Sequence, residues 1–331
     1  MVVYRDFQSS IENSVFAISA FSFVVLCNVI KVFYSKNLHR NLTNQFVMQL
    51  IISEMLNNIN HITQGIPYLM GKISEKYYER MRVCYFQMYL TTFSNLYTLY
   101  SSFLIAFRIN DLLAHSSRVF KKPINIKIAK LSSLYVCLIL SYILWTVHMI
   151  AYQSFESKSE KYFRILTCWI SSPVDYVILG IFLFFVILIF VYSCKSLTFI
   201  GQYRKRLQAD DDDEEENNKS SDLINTEQFK KIRLVQRRLI IYPIVTAILY
   251  ILIIIYRVLS SNAKFVEGKK IACLVLYGVT TVFRGIIFVA IYFGTQKVFR
   301  EGLCDYLFCR RRKLEEVSME SFTRLDDILE D

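Results

Sequence analysis

The sequence predicts an all-α integral membrane protein: a seven-helix bundle with its N-terminus outside and a short amphipathic helix after the seventh span. Three observations predict it. Apolar residues fill 54% of the 331 positions and charged residues only 20%. The mean hydropathy is +0.33. Stretches of roughly 20 mostly apolar residues, the length that crosses a bilayer, recur seven times along the chain. The same composition excludes other classes. Disorder needs low hydrophobicity, 9 Gly and 4 Pro exclude collagen-like chains, and 8 Cys are too sparse for a disulfide scaffold. Lys and Arg exceed Asp and Glu by 39 − 28 = +11. In a membrane protein that excess reads first as an orientation signal, so no nucleic-acid partner is expected.

The spans run approximately Ile11–Tyr34, Leu42–Ile66, Val83–Phe107, Ile128–Tyr152, Pro173–Phe199, Leu239–Leu259 and Ile271–Gln296. The last three are the most clearly marked. The second is the most polar, holding Glu54, Asn57, Asn58, Asn60, His61 and Gln64. An amphipathic soluble helix is the alternative for it. It is kept as a span because a bundle interior tolerates polar residues. Pro243 lies inside the sixth span near its inner end. It removes a backbone donor and kinks the helix, either as a fixed bend or as a hinge.

Orientation follows from the short loops. Asp6 and Glu12 precede the first span, while Lys31, Lys36 and Arg40 follow it. Arg108, Arg118, Lys121, Lys122, Lys127 and Lys130 lie between spans three and four. Cytoplasmic loops carry such an excess, so residues 1–10 are expected outside. No charged n-region with a cleavage site is present, so span one is expected to act as an uncleaved anchor. Asn41-Leu42-Thr43 and Asn218-Lys219-Ser220 match the glycosylation pattern but fall on the inner side, where neither should carry sugar. The expected location is the cell membrane, with multiple passes.

Three soluble pieces remain: one loop within the bundle of residues 11–296 and two segments after it. The third inner loop holds Asp210 through Glu216, seven adjacent acids that repel one another. Residues 207–228 are therefore expected to be disordered, either as a solvated insert or as a partner or metal site. Residues 297–313 suit an amphipathic helix on the inner leaflet, with Val298, Phe299, Leu303, Tyr306, Leu307 and Phe308 near helical spacing. Cys304 and Cys309 on it are palmitoylation candidates or ordinary thiols. Residues 314–331 form an acidic cytoplasmic tail whose Ser318, Ser321 and Thr323 are phosphorylation candidates.

Several groups are candidates for function. Cys84 and Cys168 both fall on the oxidising side, so a disulfide is allowed there. Free thiols are the alternative, and Cys273 is the rival partner. Glu54 and Arg284 come out at similar depth in spans two and seven. A charge there must find a partner or water, so a Glu54–Arg284 contact is expected, with Asn28, Asn58 and Asn95 able to join it. It is either a switch network or a static packing pair. His61, Gln64, Tyr89, His148, Trp169, Asp175, Tyr176, Arg257 and Tyr277 fall in the outer half and could line a ligand pocket. Arg257 is the cation offered to an anionic ligand, with snorkelling to the interface as the plainer reading. No Cys/His pair has zinc spacing, and G-x-S-x-G, H-E-x-x-H and the P-loop are missing. Neither an enzyme, a metal nor a cofactor is expected. The seventh span has no mid-helix lysine for a retinal Schiff base.

Short motifs carry a family resemblance over roughly residues 15–305. Cys168-Trp169-Ile170 stands before span five, and Arg238-Leu239-Ile240-Ile241-Tyr242-Pro243 opens span six. Arg284-Gly285, followed by Ala290-Ile291-Tyr292-Phe293-Gly294, closes span seven. With seven spans and one outer cysteine pair, the chain resembles G protein-coupled receptors of the cyclic-AMP receptor-like family, known from protists, and the related fungal nutrient-sensing receptors. It departs from receptor patterns in three places. Phe107-Arg108-Ile109-Asn110 replaces the rhodopsin-type D-R-Y, Glu54 replaces an Asp, and Arg284 replaces an uncharged polar residue.

The resemblance implies that an extracellular small ligand, cyclic AMP among the candidates, selects a state in which span six swings outward. A heterotrimeric G protein would then enter a cleft bordered by Arg108, Lys195, Arg204, Arg237 and Arg238. A transporter would show an internal repeat and a channel a pore ring, and neither is evident. A non-signalling seven-span scaffold is the remaining alternative.

Overall fold

The computed structural model describes residues 2–35, 42–69, 83–115, 126–155, 173–213, 221–260 and 283–295. All seven segments are helical: α1 (Val2–Ser35), α2 (Leu42–Leu69), α3 (Val83–His115), α4 (Ile126–Phe155), α5 (Pro173–Asp213), α6 (Ser221–Ser260) and α7 (Arg284–Thr295). Three contain stretches long and apolar enough to cross a membrane, namely Ser14–Ser35, Tyr176–Gln202 and Leu239–Leu259. A shorter apolar stretch, Leu134–Val147, lies in α4.

Most helices outrun the apolar stretches that announce them. Hydropathy marks where a helix is apolar, not where its hydrogen bonding stops. α5 continues through Gln202, Arg204, Lys205, Arg206 and Leu207, all good helix formers. It ends inside the acidic run at Asp213. The loop expected to be disordered over 207–228 is therefore helical at both ends, up to Asp213 and again from Ser221. α1 likewise starts at Val2, inside the stretch expected to precede the first span.

The helices meet in a closed order. α3 lies against α2, α4, α5 and α6, while α7 lies against α1, α2 and α6. α1 meets α2, and α5 meets α4 and α6. Two apolar clusters form inside. One joins Leu26 and Phe33 of α1, Leu50 of α2, Ile105 of α3, Ile200 of α5, Tyr242 of α6 and Phe288 of α7. The other joins Phe93 and Leu96 of α3, Leu144 of α4, Phe182 and Ile189 of α5 and Tyr250 of α6. Rings knit α3 to its neighbours. Tyr89 meets the edge of Trp145 of α4 at 6.2 Å and Phe107 the edge of Tyr192 of α5 at 5.4 Å, while Phe93 stacks on Tyr97 within α3 at 5.7 Å. Such pairs contribute about 0.5–1.5 kcal/mol each beyond their buried area.

The faces are inverted relative to a water-soluble bundle. Phe184, Ile187 and Phe190 of α5 and Ile139, Tyr142 and Ile150 of α4 point outward, each at least half exposed. Ser53, Glu54, Asn57, Asn58, Asn60 and His61 of α2 are buried, as are Ser94, Thr98, Ser101 and Ser102 of α3. Glu54, Asn57, Asn58 and His61 follow i, i+3, i+4, i+7 spacing, so they share one helix face. Isolated exposed apolar residues are ordinary, but a continuous apolar exterior over a polar interior suits a hydrocarbon surround.

Candidate functional site

The polar interior centres on α7's first residue. Arg284 is fully buried, as is Glu54. The contact expected between them is direct, with Arg284 Nε 2.7 Å from Glu54 Oε1. It is an ion pair rather than an aligned hydrogen bond, because the Nε–H does not point at an acceptor. Arg284 Nη1 donates to Asn95 Oδ1 at 2.9 Å and to Tyr250 Oη at 3.0 Å. The Tyr250 hydroxyl lies 2.9 Å from the Asn95 carbonyl and 3.0 Å from Asn95 Oδ1. Its one proton can serve either acceptor. The guanidinium also lies 5.2 Å from the Tyr250 ring centroid. Arg suits this place because its planar fork reaches several acceptors at fixed angles.

A hydroxyl chain extends the cluster. Thr98 Oγ1 lies 3.1 Å from Glu54 Oε1 and 2.6 Å from Ser53 Oγ. The one Thr98 proton can serve either Glu54 Oε1 or the Ser94 carbonyl of its own helix, and Ser53 can donate to the Leu50 carbonyl. Asn58 Nδ2 meets Ser22 Oγ of α1 at 3.2 Å and the Glu54 carbonyl at 2.9 Å. One group of side chains thus links α1, α2, α3, α6 and α7. Glu54 Oε2 and Arg284 Nη2 are buried without a hydrogen-bond partner among the described residues.

Gly285 brings α7 close enough for this. A Cβ there would meet Ser22 Oγ at 3.0 Å, Leu26 Cδ1 at 3.2 Å and Asn58 Nδ2 at 3.3 Å. The glycine lets α7 sit against α1 and α2, which sets Arg284 beside Glu54. A second hydroxyl tie joins α3 to α6, where Ser102 Oγ donates to Thr246 Oγ1 at 2.9 Å. Thr246 donates in turn to the Tyr242 carbonyl, also at 2.9 Å. Pro243 is buried between these two residues.

The structure brings Glu54, Asn58, Asn95 and Arg284 together as the sequence suggests. Asn28 is a correction. Its amide donates to the Val24 carbonyl of its own helix, and no bond joins it to the cluster among the described residues. The α1 residue that reaches the cluster is Ser22. Six residues at about 100° each set these two positions about 120° apart round the helix, so one helix rotation cannot serve both. Sequence reasoning misses Tyr250, Thr98 and Ser53, and it marks Gly285 only as part of a motif.

The other expected groups are less complete. His61 is buried on α2. Tyr89 is spent on packing between α3 and α4, stacked on Phe93 at 6.4 Å and edge-on to Trp145. Tyr176 is 62% exposed. Arg257 is half-buried near the end of α6. Trp169 and Tyr277, together with the side chains of Gln64, His148 and Asp175, lie outside the described residues. So do Cys168 and the Cys84 side chain, and with them the expected disulfide, as well as Cys273.

On the side expected to be inner, Arg108 is half-buried on α3. Lys195 is exposed on α5 with its ammonium 5.7 Å from the Tyr192 ring. The side chains of Arg204, Arg237 and Arg238 lie outside the described residues, as do Cys304, Cys309 and all of 297–331. Among the described residues no group of His, Cys, Asp and Glu could hold a metal ion.

No protein-family model matches the chain, and no curated protein matches it.

Proposed function

We propose that the chain is a multi-pass cell-membrane receptor with seven spans and its N-terminus outside. On this reading it binds an extracellular small ligand and activates a heterotrimeric G protein through the inner ends of α3, α5 and α6. The observation that carries the reading is the helix order around the buried ion pair. α3 is central, α7 closes the ring against α1, α2 and α6, and the Glu54–Arg284 pair ties α2 to α7. A receptor needs an element with two arrangements that both ligand and G protein bias. A polar layer shared by five helices can rearrange as one unit, because each bond has a nearby substitute acceptor. Arg108 and Lys195 lie on the helices that would border the G protein.

The cyclic-AMP receptor-like resemblance rests on the motifs around Trp169, Pro243 and Arg284. Cyclic AMP is the ligand to test first. The experiment measures G protein activation in cells, with and without extracellular cyclic AMP, for wild type and Arg238→Glu at matched surface expression. A cyclic-AMP-dependent signal lost in the variant supports the whole reading. A basal signal lost in the variant, with no cyclic-AMP response, supports the receptor and overturns that ligand. No signal from either leaves coupling unproven and raises the scaffold and transporter readings.

A further inference from the structure

We infer that α6 is held to α3 by a two-point hydroxyl latch, whose points differ in what releases them. The points are four residues apart on α6, one helical turn. Thr246 meets Ser102 at 2.9 Å, and Tyr250 meets Asn95 at 2.9 and 3.0 Å. Both lie on the C-terminal side of Pro243. The Thr246 point sits within one turn of Pro243. Its hydroxyl continues to the carbonyl of Tyr242, the residue just before the proline. Pro243 has no N–H to give the Leu239 carbonyl, so the helix is weakest where that point clamps it.

The Tyr250 point is shared. Its oxygen also accepts from Arg284, which is held by Glu54. A change in the ion pair therefore loosens Tyr250 while leaving Thr246–Ser102 in place. α6 then pivots at the Pro243 turn instead of leaving the bundle. Ser102, Thr246, Asn95 and Tyr250 are all buried, so water does not compete for these bonds in the latched state. This inference concerns how α6 is held and stands without the G protein reading.

The test is a distance measurement on the full chain in lipid nanodiscs. Spin labels go on Asn110→Cys of α3 and Gln236→Cys of α6, with native labelable cysteines replaced. The unsubstituted latch should give one dominant short distance. Tyr250→Phe and Thr246→Val should each enlarge a longer-distance population by roughly threefold, and the double variant by roughly tenfold, as expected for losing one and two modest buried hydrogen bonds. Ser102→Ala cuts the Thr246 point from the α3 side and should reproduce Thr246→Val. Arg284→Met should act at the Tyr250 point, so adding Tyr250→Phe to it changes little more. Unchanged distances in the double variant and in Ser102→Ala, with both melting within a few degrees of the parent, overturn the latch. G protein activation is read on the same variants. Altered distances without any G protein response leave the latch standing and refute only the coupling.

Discussion

Replacing Arg284 by Met tests the centre of the site. The two charges sit 2.7 Å apart with no solvent exposure. At an effective dielectric of about 20, that separation corresponds to about 6 kcal/mol of attraction before desolvation is subtracted. Removing one partner leaves a buried charge uncompensated, and such losses run to about 3–5 kcal/mol. Asn95 and Tyr250 also lose a donor. For a bundle of this size each kcal/mol moves the melting midpoint by about 2–4 °C. A 3 kcal/mol loss is then about 6–12 °C in detergent micelles at one fixed scan rate, the scan rate being held because membrane proteins often unfold irreversibly. Glu54→Gln should cost a similar amount. The double variant, Glu54→Gln with Arg284→Met, buries no charge and should melt well above the sum of the two losses, with a coupling of at least about 1.5 kcal/mol. Additivity within about 0.5 kcal/mol would refute the pairing as an energetic unit.

Three more outcomes are expected. Gly285→Ala should lower the melting midpoint, because its Cβ meets Ser22 Oγ at 3.0 Å and forces α7 outward. Overpacking of that kind costs about 1–3 kcal/mol. Gly180→Ala, with nothing within 4 Å, is the control and should be neutral or slightly stabilising. Pro243→Ala restores a backbone donor inside α6. It should raise thermal stability by up to about 1 kcal/mol and lower basal G protein signalling, and higher signalling would count against the hinge. An epitope tag at the N-terminus should bind antibody on intact cells, and a glycosidase should leave the gel mobility unchanged. A tag seen only after permeabilisation, or sugar at Asn41 or Asn218, would reverse the proposed orientation.

Much of the helix placement is legible in the apolar pattern of the chain. The expected starts at Leu42, Val83 and Pro173 coincide with the starts of α2, α3 and α5. Of these only α5 also holds an apolar stretch of membrane-spanning length. The extensions of α5 and α6 beyond it are not legible that way, since hydropathy is blind to a helix that continues among charged residues. The Glu54–Arg284 pair is legible because charges inside mostly apolar stretches are few and costly to bury unpaired. Tyr250 is not, being one of 22 tyrosines. Serine and threonine are equally uninformative, since most of them bond their own helix one turn back, as Thr146 and Thr198 do. Only the rotation of α3 and α6 selects Thr98 and Thr246. Asn28 fails for the same reason: sequence gives its depth on α1 but not its face.

The ion pair also sets a problem of timing during synthesis. Glu54 emerges from the ribosome 284 − 54 = 230 residues before its partner. At about 5–20 residues per second, that is about 10–50 seconds in which α2 carries a carboxyl without its guanidinium. α2 falls outside the helices apolar enough to cross a membrane by length and composition. On the proposed seven-span reading its secure residence in the bilayer awaits α7, which makes α7 a folding checkpoint for α2. Chains that stop short of Arg284 should be recognised as incomplete and degraded, however well α1, α5 and α6 have inserted.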